Sequence, residues 1–304
     1  GDNTYSTHAI QAVNGVNATL ICAKNSGTGC FVDNLTLQNF ANSSLNTKTS
    51  NSLALWTDTP RSTYSNLNIN AYCGIYAKVY SSLIENIVFN STERALFVEN
   101  GSSNTIRFVY AESCANPYRI QSSYTTVMNV AADNCTGSIF KLTGIALKLL
   151  NCGCESPSAQ YIIEQLSDWF SVSVDGMQIQ RQTGGSAGLS NCAIVYAIAA
   201  GSISLRDICV IETSAITGTS YIFKVSETGL RFVTTIDNFC YNKNYTVDNN
   251  DRLTLWNNAT DGYTTHALRS GTIDITYQVM QGGQIVPHIG GYVGSQGGVV
   301  NNNV

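Results

Sequence analysis

Between residues 106 and 154 the chain repeats itself about every twenty residues, and this period constrains the fold more than any other feature. Ile106 and Val127 stand 21 residues apart, as do Cys114 and Cys135, and Cys154 follows 19 residues later. Aligned on cysteine, Ala111-Glu112-Ser113-Cys114 lies over Ala132-Asp133-Asn134-Cys135, and then over Asn151-Cys152-Gly153-Cys154. A weak repeat of this length is the mark of a solenoid: one turn cannot bury its own apolar face, and stacking on its neighbours supplies the core. Short β-branched or alternating runs recur at 35–37, 67–69, 84–89, 106–110, 127–131, 147–150, 172–174, 203–205 and 233–236, closed by Asn, Gly or Ser. Runs of this kind read as strands, and no long helical period accompanies them.

The repeat therefore predicts an all-β parallel β-helix over residues 1–250. Ser113, Asn134 and Gly153 fall in one column and are expected at tight corners, where left-handed backbone angles are tolerated. Cys114, Cys135 and Cys154 then re-enter the core as a stack of buried thiols. Ten cysteines are also an even number, so disulfides stay open as a second reading. The rungs that end at 67 and at 203 are about ten residues longer than the rest, which implies loops at 42–51 and 180–190. From residue 251 the pattern changes, with Gly pairs at 282–283, 290–291 and 297–298. The segment 251–304 is expected to be a Gly-rich C-terminal cap or an oligomerisation segment, because an open solenoid end is a bare sheet edge.

Composition narrows the partners. Charged residues make up 12% of the 304, against about 25% in an average chain. The net charge is -4 and no Lys/Arg cluster occurs, which argues against nucleic acid. The longest apolar stretch, 192–200, is too short to span a bilayer. Gly1 stands where an initiator Met would, so a longer native protein is expected. A surface of neutral polar groups suits sugars better than phosphate backbones.

These rungs, their Asn, Ser and Gly corners and the low charge resemble phage tailspikes and capsule depolymerases, over residues 30–245. The resemblance implies a right-handed parallel β-helix, a homotrimer, and action from the virion tail on bacterial surface polysaccharide, O-antigen or capsule. It implies no cofactor. Other β-helix enzymes fit less well. The Gly-His-Gly and Arg-Ile-Lys segments of polygalacturonases, the Trp-Ile-Asp-His stretch of calcium-dependent pectate lyases and the Gly-Asp-Ser of esterases do not occur here.

Stacking also proposes chemistry. Glu112 and Asp133 share a column on consecutive rungs, which places them about 5 Å apart, near the spacing of a retaining glycosidase pair. Arg107 and Tyr110 are candidates to orient the sugar. The plainer reading makes the two acids solvated corner residues. A second candidate region holds Glu164, Asp168 and Trp169, with Asp175 and Asp207 on later rungs. There the plainer reading makes Trp169 and Phe170 core residues at a strand start, and the Arg206–Asp207 neighbours a surface charge pair. A polysaccharide lyase would instead use Lys148, Tyr110 and Arg107, and a pure adhesin would bind glycan without cutting it. No metal site is expected: Cys152 and Cys154 have the wrong spacing, and His8, His266 and His288 lie near the ends.

Overall fold

The structure is a computed structural model that describes residues 8–11, 19–24, 29–39, 53–90, 92–155, 157–181, 192–212, 220–225, 232–243, 253–256, 276–281 and 284–289. Among these residues every regular element is a strand. The expected loop at 42–51, residues 182–190 of the loop expected at 180–190, the Gly pairs and His266 lie outside the described residues, and residues 180 and 181 of that second loop instead end the strand Tyr161–Arg181.

Strand Thr63–Ala71 pairs in parallel with Phe31–Asn39 before it and with Leu83–Asn90 after it. That file runs on through Thr105–Glu112 and Thr126–Asp133. The strands between them, Leu53–Thr57, Cys73–Ala77, Arg94–Ser102, Asn116–Ser123 and the start of Phe140–Leu150, pair in parallel with one another. Pairing therefore skips the next strand and takes the one after, which is how successive coils of a β-helix-like fold stack. Leu35 meets Leu67, Ile106 meets Val127, and Val172 meets Ile203, as the spacings require. Parallel pairing continues to Leu253–Trp256 and Thr276–Gln281, and the latter turns back antiparallel on Gln284–Ile289.

The long strands bend in the middle. Asn34, Asn66, Asn86, Phe108, Asn129, Asn151, Gly176 and Asp207 take φ between 49° and 71° and lie above one another. Asn is the common choice because it tolerates this region better than other side chains. It also bonds along the file: Asn86 Nδ2 donates to Asn66 Oδ1 at 3.2 Å, and Asn66 Nδ2 to Asp33 Oδ1 at 2.7 Å. The bend divides each coil into a first face (for example 105–107) and a second face (109–112). The intervening strands form a third face.

The first and second faces alternate inward and outward as strands do, while the third opens with two or three successive buried residues before its outward position. Ile84, Ile106, Val127 and Leu149 point inward from the first face, and Leu67, Ile87, Val109 and Val130 from the second. From the third come Leu55, Ile75, Leu96, Tyr118 and Phe140, the last two with stacked rings 5.3 Å apart.

Ser113 and Asn134 are left-handed corners, at φ 55° and 52°. Cys114 and Cys135 do stack inside: Cys114 N–H donates to Cys135 Sγ at 3.4 Å, and Thr92 Oγ1 lies 3.0 Å from Cys114 Sγ. The hydrogen bond with Cys114, then burial, push the Cys135 thiol up. Among the described residues Cys22, Cys30, Cys73, Cys114, Cys135, Cys152, Cys154, Cys192 and Cys209 form no disulfide.

The third row of the sequence alignment is displaced. Cys154 lies over Ala132 and Glu155 over Asp133; Gly153 is not left-handed, and the left-handed Asn151 continues the bend file of Asn129, not the corner column of Ser113 and Asn134. The repeat here is the 22 residues from Asn129 to Asn151. Cys154 is buried, but in the file of Ala111 and Ala132 and not above Cys135.

Candidate active site: a file of carboxylates on the second face

The correction to the register enlarges the site. Glu112, Asp133 and Glu155 are Cα partners on three consecutive coils, flanked by Asn90 on one side and Gln180 on the other. Adjacent parallel strands lie about 4.8 Å apart. Glu112 and Asp133 are therefore one strand spacing from each other, and Glu112 and Glu155 are two. Their neighbours Ala111, Ala132 and Cys154 are buried, so alternation turns all three acids outward.

Asp133 is held at both oxygens. Tyr110 Oη donates to Oδ2 at 2.9 Å, and the Glu155 backbone N–H donates to Oδ1 at 3.1 Å. Burial, then the bond to Asp133, raise the Tyr110 hydroxyl above its ordinary range, so it stays a donor at neutral pH. Glu112 is exposed and makes no ion pair among the described residues. The two carboxylates thus stand in different settings: one is fixed by two donors and the other is free to meet a ligand.

The floor beside the acids is bare. The outward file next to them runs Tyr110, Ala131, Gly153, Gln178. A Cβ on Gly153 would come within 2.7 Å of the Gln178 carbonyl oxygen, so the close approach of these strands needs glycine there. Ala131 and Gly153 leave the acid file open along one edge, with Tyr110 standing at its end.

The other candidate residues are dispersed. Arg107 lies across the bend on the first face, where its Nε donates to Glu85 Oε2 at 2.7 Å. Lys148 is also on the first face, paired with Thr126 and Ser173. Neither faces Tyr110, so the three groups of the lyase reading are not assembled. Glu164 sits on the third face, bonded by Ser138 Oγ at 2.5 Å and 3.6 Å from Lys141 Nζ. Asp168 and Trp169 project from the corner between the third and first faces. Trp169 is 65% exposed and only Phe170 enters the core, which corrects the core reading for Trp169. Asp175 lies on the first face, 4.0 Å from Arg206 of the next coil, so Arg206 turns to that carboxylate. Asp207 occupies the left-handed file at φ 52°. Among the described residues no group of three or more His, Cys, Asp or Glu is placed to hold a metal ion.

Sequence reasoning missed Glu155. The signal that finds it is the Asn129–Asn151 spacing, which carries Asp133 onto Glu155.

No protein-family model matches the chain, and no curated protein matches it. Among solved structures it is similar to the catalytic domain of a GH87 alpha-1,3-glucanase in complex with tetrasaccharides, at 14% identity and a TM-score of 0.46. That similarity covers 92% of this chain and 56% of the other, so the chain spans just over half of that neighbour's length. It is a likeness of backbone course and carries no residue's role across.

Proposed function

We propose that this protein binds and cleaves polysaccharide as a glycoside hydrolase of the tailspike kind, with Glu112 and Asp133 as its acid pair. The observation that carries the reading is the register: Glu112 and Asp133 are outward Cα partners on adjacent coils. One strand spacing of about 4.8 Å lies near the 5–5.5 Å or so of retaining glycosidases. In this mechanism Asp133, fixed by Tyr110 and the Glu155 amide, attacks the anomeric carbon. Glu112 protonates the leaving oxygen and then draws the proton from the water that releases the sugar. The outer pair, Glu112 and Glu155, is two spacings apart, about 9.6 Å, at the upper edge of the span for inverting enzymes. Product stereochemistry therefore separates the two pairs.

The rest of the proposal is architectural. The coil is right-handed over residues 1–250, residues 251–304 cap it or join subunits, and the assembly is a homotrimer on a virion tail. Its substrate is bacterial O-antigen or capsule. Glu164, Asp168, Trp169, Asp175 and Asp207, being spread over other faces, serve at most as outlying sugar contacts.

The test is incubation with a panel of bacterial polysaccharides, with chain length and new reducing ends as readouts. Proton NMR of the first product should show retention of anomeric configuration. Asp133→Asn and Glu112→Gln should each lower cleavage by about a hundredfold or more while the fold persists. Full activity in both variants would sink the acid pair. Inversion of configuration would move the chemistry to Glu112 and Glu155.

A further inference from the structure

The third face carries an outward file unlike the others. Trp56, Tyr76, Phe97 and Arg119 are Cα partners on four successive coils. Each stands between inward-pointing core residues such as Leu55, Ile75 and Leu96. Solvent-facing files elsewhere on the coil mix Asn, Ser, Thr and charge with scattered apolar residues such as Val88, Phe108 and Tyr110, and the core does not explain three successive aromatics here. Trp56, Tyr76 and Phe97 are only half-buried.

The rings are held in place from both sides. Tyr76 and Phe97 meet edge to face with centroids 4.9 Å apart, and the Arg119 guanidinium lies 4.6 Å from the Phe97 centroid. Tyr76 Oη donates to Glu99, which also pairs with Lys78 at 3.0 Å. Beside the rings opens a cavity of about 260 Å³ lined by Leu53, Trp56, Cys73, Tyr76, Arg94 and Phe97. This is below the range of about 300–1,000 Å³ for drug-sized sites, and it suits one ring of a longer chain that runs on past it. Burial pushes the Cys73 thiol up to about 11, so the lining stays neutral there.

The charge at this place opposes that of the whole. Lys78 and Arg119 act on Glu99, and Arg94 stands with Glu93 beside Cys73, so three cations meet two carboxylates here on a chain whose net charge is -4. Arg94 is exposed and makes no ion pair among the described residues. A guanidinium at the mouth of an aromatic-lined cavity matches a planar carboxylate in two-pronged fashion.

We infer that this cavity is a second glycan site, separate from the acid file, that takes an acidic sugar: its ring rests on Trp56 and Tyr76 and its carboxylate meets Arg94. The polymer recognised is therefore one with a uronic or other carboxylated unit in its repeat. The inference does not rest on the hydrolytic role of Glu112 and Asp133.

The test titrates the whole chain with polygalacturonate, alginate, hyaluronan and polysialic acid, and with the same polymers after reduction of their carboxyls to alcohols. Tryptophan fluorescence and calorimetry read the binding. At least one acidic polymer should bind, and its reduced form should bind about tenfold more weakly or worse. Arg94→Gln should lose a similar factor, and Trp56→Ala should abolish the fluorescence change. Circular dichroism and thermal melting confirm that each variant folds. The inference falls if no acidic polymer binds, or if Arg94→Gln and Trp56→Ala bind like the parent. It also falls if Trp56→Ala turns an oligomer into monomers, since the face would then be a contact between copies.

Discussion

Gln165 offers a sharp test of how the coil is held together. It is fully buried, and its amide serves four backbone groups. Nε2 donates to the carbonyls of Ser167 and Ala200, both at 2.8 Å. Oε1 accepts from the N–H groups of Ile198 and Ala199, at 3.1 and 3.2 Å. These bonds close the corner that turns Asp168 and Trp169 outward and tie it to the coil that follows. Gln165→Leu keeps most of the volume and strips all four partners of their bonds. An unsatisfied buried group costs about 1–3 kcal/mol. Ser167, Ile198 and Ala199 are half-buried and Ala200 is exposed, so water reaches part of this set and the lower end applies. A loss of about 3 kcal/mol in all is expected. Urea unfolding followed by circular dichroism measures it, with the damaged coils melting first because each coil contacts only its neighbours. Gln165→Glu should lose a similar amount at neutral pH, because a carboxylate cannot donate to the two carbonyls. Burial raises the pKa of such an acid, so its stability returns below that value and is lost again as pH rises through it. A loss under about 1 kcal/mol in Gln165→Leu would refute the four-bond argument.

Two smaller perturbations test the surfaces on either side. Phe108 stands at φ 53° between Asn86 and Asn129 in the left-handed file, where a bulky residue costs about 1–2 kcal/mol. Phe108→Asn should gain about 0.5–1 kcal/mol net of the Arg107 contact over its ring, and calorimetry should show a melting point about 2 °C higher; a lower one would count against the file. The Glu99 carboxyl is held below its usual range by the Tyr76 hydroxyl first, against burial, and by Lys78. A depressed folded-state value gives stability that is present above the ordinary carboxylate range and lost as pH falls through the folded value. Glu99→Gln should therefore be less stable than the parent at pH 7, and the difference should close below about pH 4 in an acid-unfolding series; a gap constant with pH would refute the coupling.

The parts of this fold that can be read from the chain are those where one residue type is demanded by the backbone. Ser113 and Asn134 mark corners because few residues accept positive φ, and Glu112 falls on Asp133 because those corners are in step. Cysteine misleads as a ruler. An inward position asks only for a small apolar group, so Cys154 replaces Ala132 in one file while Cys135 occupies another. Counting from Asn129 to Asn151 instead restores the register and brings Glu155 into the carboxylate file. The same reasoning explains why Arg107 and Tyr110 read as neighbours. The bend between them falls on Phe108, an aromatic that no propensity assigns to left-handed backbone, and it puts the two side chains on different faces. Trp56, Tyr76 and Phe97 obey the period too, at intervals of 20 and 21 residues, but an aromatic read alone passes for core. Only the alternation of each strand shows which of its residues leave the core. In a stacked coil, then, the left-handed positions set which residues are neighbours and the pleat sets which of them a ligand can touch; the acid file and the aromatic file are both products of those two rules acting on different faces.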